Sequence, residues 1–107
     1  MAASESGPGN LDLLILQALN AGPMHGWGIS QLVLQRSAEV LQINQGSLYP
    51  ALRRLERRGL IRAEWDSSDN NRRARYYRLS ADGRRQLAIE RTEWKRYVRA
   101  VELVLAE

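Results

Sequence analysis

The first stretch of apolar residues, from Leu11 to Leu19, is spaced like the inner side of a helix. Leucine, isoleucine and alanine recur three and four positions apart, and further leucines between them widen the apolar surface. We therefore predict a helix that is buried on more than one side, with Asn10 as its N-cap, because an asparagine side chain accepts hydrogen bonds from free backbone N–H groups. Gly22 and Pro23 should end this helix, since a proline disfavours helical geometry in the residue before it.

A second helix is predicted over about residues 25–37, followed by Val40–Ile43 as a short β-prone stretch. His25 is the single histidine of the chain, and there is no cysteine. A structural zinc site needs about four ligands, so we expect no metal here. We expect His25 to stand at the start of the helix and to make a hydrogen bond, and we expect Trp27 to lie in the core.

A third helix is indicated by leucines at spacings of four and three, which define one buried face: Leu48, Leu52 and Leu55. Pro50 must lie in the first turn, where its missing N–H has no helical partner to lose. The helix should therefore start at about residues 46–47, with Ser47 as its cap. Gly59 is expected to mark the C-terminal end.

Two segments of alternating polarity, separated by a polar stretch, predict a β-hairpin. In the first segment Ile61, Ala63 and Trp65 share the inner face, and in the second Tyr77 and Leu79 do. We expect these five side chains in the core. The polar residues between the segments include an Asp-Asn-Asn turn sequence and should form a basic, flexible tip.

The last helix is predicted from Ala81 to about residue 106, with Ser80 as its cap. Its apolar positions follow steps of seven, four, three and four, close to the heptad pattern of a coiled coil: Leu87, Trp94, Val98, Val101 and Leu105. Arg91 interrupts this stripe where an apolar residue would be expected. A stripe of this size is too large to stay in water on one chain, so we expect the helix to pair with a second copy.

The order of three helices, a hairpin and a final helix is that of a winged helix-turn-helix protein. The predicted fold class is mainly α with a small β-hairpin (α+β), extended by a long C-terminal dimerisation helix. We assign residues 1–9 to a disordered N-terminal lead, residues 10–80 to the winged helix-turn-helix domain and residues 81–107 to the dimerisation helix. A chain of 107 residues is long enough for one such domain and too short for two.

Positive charge is concentrated in the segment from Arg53 to Arg78. This segment holds nine arginines and four acidic residues, whereas the whole chain has 16 basic and 12 acidic residues. The rest of the chain is therefore slightly acidic. A local basic surface is expected where a protein meets nucleic-acid phosphates, and the planar arginine fork suits both phosphate and guanine edges. A solvated arginine-rich face would have the same composition.

In a winged helix-turn-helix module the third helix enters the major groove, and the wing lies beside it on the backbone or in the minor groove. On that basis we predict these residues as DNA contacts: Gln45, Ser47, Tyr49, Arg53, Arg54, Arg57, Arg72, Arg73 and Arg75. The alternative for Tyr49 is a ring packed on the helix entry, and for the arginines it is a solvated face. Arg58 is expected to face the hairpin.

Several runs of residues carry a family resemblance. They are Met-His-Gly-Trp-Gly from Met24, Gln-Gly-Ser-Leu-Tyr-Pro-Ala-Leu-Arg-Arg-Leu-Glu from Gln45, and Tyr-Tyr-Arg-Leu-Ser from Tyr76. With them, the chain from about Leu11 to Leu105 resembles the PadR family of transcriptional regulators. Ser80 stands where that family more often has threonine, which has the same capping chemistry.

The resemblance implies a homodimer that represses transcription from a pseudo-palindromic operator. In the family the C-terminal helix makes most of the dimer contact and the N-terminal helix assists, which would bring Leu11, Leu14 and Ile15 into the interface. In some short members an aromatic-lined cavity at the dimer centre binds flat hydrophobic compounds and relieves repression. Trp94 occupies the matching place here, so a small aromatic or hydrophobic ligand is a further expected partner.

The inventory of side chains argues against other classes of protein. With no cysteine, one histidine and no glycine-rich phosphate loop, we expect neither an enzyme nor a cofactor. The chain has no run of about 18 apolar residues and no signal-peptide pattern, so we expect a cytoplasmic protein that does not enter a membrane. Two alternatives stay open: a winged-helix module that binds another protein instead of DNA, and a small-molecule binder that has lost DNA binding.

Overall fold

The helices and the hairpin occur in the predicted order, with one additional short strand. The computed structural model describes residues 8–67 and 73–107, and the side chains of residues 10–66 and 74–107. In this part of the chain the elements are α1 (Pro8–Asn20), β1 (Met24–His25), α2 (Gly26–Arg36), α3 (Gln45–Arg57), β2 (Ile61–Ser67), β3 (Arg73–Leu79) and α4 (Ala81–Leu105). The predicted winged helix-turn-helix fold with a long C-terminal helix is confirmed. The predicted lead comprised residues 1–9. Residues 1–7 are outside the described part of the chain, and residues 8 and 9 belong to α1.

Helix α1 begins at Pro8, three residues before Leu11, the first residue after the predicted cap. A proline is favourable in the first position of a helix, because its φ angle is already helical and its missing N–H would have had no partner. Asn10 therefore lies inside the first turn and is not the cap. The neighbouring Ile15 and Leu16 are both fully buried, which confirms a helix covered on more than one side.

His25 caps α2, as predicted. Its ring nitrogen Nδ1 accepts a hydrogen bond from the backbone N–H of Gly28 at 2.9 Å. His25 and Met24 also form β1, which pairs with β3 opposite Tyr76 and Tyr77. This two-residue strand was not predicted, because its pairing partner lies some fifty residues further along the chain.

The β-prone stretch Val40–Ile43 does not form a strand: these residues are part of the loop between α2 and α3. Leu41 and Ile43 are partly buried and pack against the core from this loop. The β-propensity of such residues expresses a fit to a half-buried surface, and a loop can offer that surface without a neighbouring strand.

Helix α3 starts at Gln45, one to two residues earlier than predicted. The cap is Asn44, whose side-chain oxygen accepts a hydrogen bond from the N–H of Gly46 at 2.6 Å. Ser47 therefore lies in the first turn, and Pro50 is deeper in the helix than expected. Both asparagine and serine are good caps, so the spacing alone did not decide between them.

The predicted inner face of α3 is fully buried. Leu48, Leu52 and Leu55 have no exposed surface, and neither has Ala51, which was not predicted. The helix ends as predicted at Gly59, whose φ of +75° is open to glycine without strain. Because this face is fixed against the core, the opposite face of α3 is presented outward in a defined orientation.

Strands β2 and β3 form the hairpin, which we call the wing. In the sheet order β1-β3-β2, three cross-strand pairs share the inner face: Ile61 with Leu79, Ala63 with Tyr77, and Trp65 with Arg75. The predicted burial of Tyr77 and Leu79 is confirmed at 6% and 7% exposure.

The predicted core positions of Trp65 and Trp27 were wrong, since their side chains are 57% and 59% exposed. Strand β2 is longer than the core it covers, so its alternation carries Trp65 past the edge of the core. Trp27 lies in the first turn of α2, next to the cap. Residue type favoured the interior for Trp27, and the alternation with Ile61 and Ala63 favoured it for Trp65.

The junction between the wing and α4 is held by Ser80. Its hydroxyl donates a hydrogen bond to the carbonyl oxygen of Gly59 at 2.6 Å and accepts one from the N–H of Gly83 at 3.0 Å, which confirms the predicted cap. A β-carbon at position 83 would collide with the backbone carbonyl oxygen of Leu60. Glycine at this position therefore allows α4 to approach the backbone of the wing closely.

Helix α4 packs against α1 near its start and then extends away from the core. The described chain measures 57 × 28 × 21 Å along its principal axes. Leu87 is buried against the core, whereas Leu105 near the far end is 72% exposed. No helix in the described ranges combines the length and the apolar composition that crossing a bilayer requires.

Candidate nucleic-acid interface

The outward face of α3 carries polar and basic side chains. Tyr49 is 39% exposed, and Arg53 and Arg57 follow it one and two turns later on the same side. Gln45 and Ser47 are exposed in the first turn. Tyr49, Arg53 and Arg57 thus share the outer side of α3, and Gln45 and Ser47 are exposed at its N-terminal end.

The described part of the wing lies beside this face. Arg75 reaches from β3 to α3, where its Nη2 atom lies 2.8 Å from Oε2 of Glu56. The Arg75 guanidinium carbon also lies 5.7 Å from the ring centre of Trp65 and 6.0 Å from that of Tyr77. The ion pair and the two cation–π contacts hold the guanidinium of Arg75 against α3.

A surface hollow of about 370 Å³ lies between α3 and the wing, lined by Arg53, Glu56, Arg57 and Arg75. Three of its four lining side chains are arginines, and only Glu56 opposes their charge. The hollow is therefore electropositive, and its arginines come from two different elements. Such an arrangement suits the phosphate backbone of a nucleic acid.

A second hollow of about 450 Å³ adjoins the first through Arg75 and is mostly aromatic. It is lined by His25, Gly26, Trp27, Tyr49, Ala74, Arg75 and Tyr77. A β-carbon at position 26 would lie 2.9 Å from the Tyr49 hydroxyl oxygen, so this glycine leaves room for the ring. The first turn of α2, the first turns of α3 and strand β3 of the wing thus meet at one place.

Tyr77 is the most buried aromatic residue beside this surface. Burial raises the pKa of its phenol above the ordinary value of 10.0, and the nearby Arg75 guanidinium lowers it less than burial raises it. The hydroxyl group therefore stays protonated at neutral pH and is available as a hydrogen-bond donor. No negative charge from this residue opposes the arginines.

Arg54 and Arg58 are directed away from the hollow, towards α1. Their guanidinium groups lie 3.1 Å and 3.7 Å from the carboxylate oxygens of Asp12. The expectation that Arg58 faces the hairpin was wrong, because Asp12 supplies a charged partner that is distant in sequence. The Arg54 side chain is still 44% exposed, so its role as a DNA contact stays a prediction.

Arg72 and Arg73 are the other two predicted wing contacts. Arg72 is outside the described residues, and Arg73 begins β3 opposite Ser67. Sequence reasoning also missed three members of this surface, namely His25, Trp27 and Glu56. The position of Trp27 could have suggested its place in the surface. It lies in the first turn of a capped helix, and helix starts lie next to loop ends, which commonly form binding sites.

The predicted dimer residues fall into two groups. Leu11, Ile15 and Leu87 are buried within the single chain at 9%, 0% and 5% exposure, so they support an interface more than they form one. The other group consists of partly buried or exposed side chains: Leu14, Trp94, Val98, Val101 and Leu105. Arg91, which interrupts the stripe, donates a hydrogen bond to Gln17 of α1 at 3.1 Å.

Comparisons with known proteins agree with this geometry. Residues 15–89 match the transcriptional regulator PadR-like family. An uncharacterized protein of Lysinibacillus sphaericus is 31% identical over 106 residues, covering 98% of this chain and 96% of that protein.

Two solved structures share nearly the whole fold. A transcriptional regulator from Clostridium thermocellum has a TM-score of 0.83 at 26% identity and covers 92% of this chain and 95% of its own. A PadR family transcription regulator from Clostridium difficile R20291 has a TM-score of 0.77 at 28% identity and covers 90% of this chain and 98% of its own. With the family match over most of the chain, these similarities show that this protein belongs to the PadR-like family of transcriptional regulators.

Proposed function

We propose that this protein is a homodimeric repressor that binds a pseudo-palindromic operator through α3 and the wing. The observation that carries the proposal is the electropositive hollow of about 370 Å³ between these two elements. Its arginines are Arg53 and Arg57, one turn apart on α3, and Arg75 of the wing, which the fold brings beside them.

Within this proposal the two ends of α3 have different roles. Gln45, Ser47 and Tyr49 lie at the N-terminal end, which in helix-turn-helix proteins usually contacts base edges. We expect Arg53 and Arg57 to contact guanine or phosphate, and Arg75 to contact phosphate. Contact by Arg75 would exchange its ion pair with Glu56 for one with the DNA.

The exposed stripe of α4 supports the dimer. A second copy packed along Trp94, Val98, Val101 and Leu105 would remove this apolar surface from water, with a gain of about 25 cal/mol per Å² buried. A two-fold dimer would present two copies of α3 to two half-sites of one duplex, which matches a pseudo-palindromic operator.

Trp94 is also the proposed contact for a flat hydrophobic effector. Its ring lies 5.8 Å from that of Tyr97, with the two planes 33° apart, and both rings are exposed in the single chain. Paired across a dimer, such rings would line a cavity at its centre. A ligand held there would relieve repression only if it favoured a dimer geometry that DNA does not.

The test is a binding titration with the duplex upstream of the protein's own gene, at several salt concentrations, with scrambled duplex as competitor. We expect tight binding that resists the competitor and falls steeply with salt, since several phosphates are contacted. Arg53→Ala should weaken binding by about 1–3 kcal/mol if the residue contacts a base. Arg36→Ala, on the last turn of α2 and outside the hollow, is the matched control.

Two results would contradict the proposal. Equal and weak binding to both duplexes would reduce the surface to a nonspecific basic patch. Absence of binding at low salt would instead favour a winged-helix module that binds another protein. A transcription assay with the same promoter then separates a repressor from an activator.

A further inference from the structure

A second basic hollow lies on the other side of the wing, and it shares no residue with the two hollows beside α3. It has a volume of about 360 Å³ and is bordered by the turn between α1 and β1 and by the start of α4. Three arginines from three different elements line it: Arg62 of β2, Arg78 of β3 and Arg84 of α4. No acidic side chain is among its lining residues.

Without a bound anion, the positions of these three arginines are unfavourable for the stability of the fold. Arg62 and Arg78 are directly opposite each other in the strand register, and like charges in such a cross-strand pair are destabilising. Arg84 lies three residues into α4, near the positive end of the helix dipole, where a cation is disfavoured. All three side chains are exposed, so no core packing requires them.

Little in the described part of the chain compensates these charges. Arg78 forms an ion pair with Glu64, with its Nε atom 3.0 Å from Oε1, but that glutamate is 57% exposed and outside the hollow. Asp82, the acidic residue in the first turn of α4, pairs with Arg85 and does not line the hollow. Three positive side chains therefore surround a concave space without a carboxylate inside it.

We propose that this hollow, which we call the rear arginine site, binds a phosphate group. A phosphate dianion would relieve the repulsion between Arg62 and Arg78, and its oxygen atoms can accept paired hydrogen bonds from arginine forks. It would also be stabilised by the N-terminal end of α4. The volume is sufficient for a phosphate that carries a small organic group.

The inference is independent of the proposed operator contacts. Arg62 and Arg78 alternate along their strands with the inward residues Ile61 and Tyr77, so they lie on the face of the wing that points away from α3. The phosphate can come from a free phosphorylated compound or from DNA that extends past the operator core. Both sources offer the same chemistry, and one experiment distinguishes them.

The first arm is a ¹H–¹⁵N correlation NMR titration of the full chain with inorganic phosphate, without DNA and at constant ionic strength. We expect saturable shifts of the amides of Gly22, Ala81 and Arg84. In Arg62→Gln the affinity should fall about tenfold, which corresponds to the loss of one charge-assisted hydrogen bond. The matched control Arg36→Gln, on α2, should bind phosphate like the wild type.

The second arm measures binding of Arg62→Gln to the upstream duplex in a short and a flank-extended form. If free phosphate is the source, the first arm succeeds and DNA affinity is unchanged. If DNA is the source, Arg62→Gln weakens only the extended duplex and lowers its salt slope by about one.

The inference is overturned if phosphate shifts no amide around the rear arginine site and Arg62→Gln binds both duplexes like the wild type. It is equally overturned if the shifts appear only around Tyr49 and Arg53. Because the first arm contains no DNA, failure of the operator proposal would leave its outcome unchanged. Thermal unfolding gives a check on folding: without phosphate, Arg62→Gln should be at least as stable as the wild type, because one member of the like-charge pair is gone.

Discussion

Helices α3 and α4 carry apolar residues at nearly the same spacing but bury them differently. In α3 the residues four and three apart, such as Leu48 and Leu52, have no exposed surface. In α4 the residues at the same steps after Leu87 are exposed or only partly buried, with Trp94 at 39% and Leu105 at 72%. Apolar periodicity thus predicts that a helix face will be covered, but it does not say whether the same chain or a second one covers it.

The largest effect is expected from a cavity beneath α3. Leu52→Ala should lower the free energy of unfolding by about 2–5 kcal/mol, because the side chain is fully buried and the space cannot be refilled. Leu103→Ala on α4 is the matched control, since that leucine is 62% exposed, and it should cost less than about 0.5 kcal/mol. Urea denaturation measures both, and equal losses would mean that the two helices are covered alike.

The next effect is expected in association. Trp94→Ala should weaken dimerisation by about 2 kcal/mol, because it removes the largest side chain of the exposed stripe. Sedimentation velocity over a concentration series measures this change. Trp27→Ala is the matched control: that ring is 59% exposed but lies on α2, and its loss should leave the dimer intact. A Trp94→Ala dimer of undiminished affinity would place the interface elsewhere.

The difference between these helices also explains which parts of the structure could be predicted from the sequence. The inner face of α3, the end of that helix at Gly59 and the cap at Ser80 depend on neighbours within a few residues, and the local pattern predicts them. The cap at Asn44 was missed because an equally good local candidate, Ser47, stood three residues later.

The features that were missed depend on contacts between distant residues. Strand β1 exists because Met24 and His25 meet β3, and Arg54 turns to α1 because Asp12 lies there. The exposure of Trp65 follows from where the core ends beneath the wing, which alternation along one strand does not reveal. Tyr49 could be assigned to the candidate site because the local pattern predicts the buried face of α3, and Tyr49 lies outside that face.

The charged side of α3 is anchored to its own chain as well. Asp12→Asn should lower the free energy of unfolding by about 1 kcal/mol, because the Asp12 side chain is 13% exposed and loses ionic partners in both Arg54 and Arg58. Asp82→Asn is the matched control, since its pair with Arg85 is exposed and local, and it should cost about half as much or less. Thermal denaturation at low and high salt compares them. If the two losses are equal, the contact between α1 and α3 is no stronger than a surface ion pair.

The smallest expected effect is a change in how the stability of the fold depends on pH. It concerns the wing, which packs beside α3. Burial raises the pKa of Tyr77, which lies in the wing beside α3, above 10.0. The unfolded chain therefore loses this phenolic proton first as the pH rises, so the stability that Tyr77 contributes is complete below about pH 10 and is lost as the pH passes through the folded value. At neutral pH the free energy of unfolding of Tyr77→Phe should match that of the wild type apart from the contribution of the hydroxyl group. As the pH rises above 9, the variant should lose less stability than the wild type. If Tyr77→Phe follows the wild-type curve in denaturant titrations across this range, the packing of the wing on α3 does not depend on a protonated Tyr77.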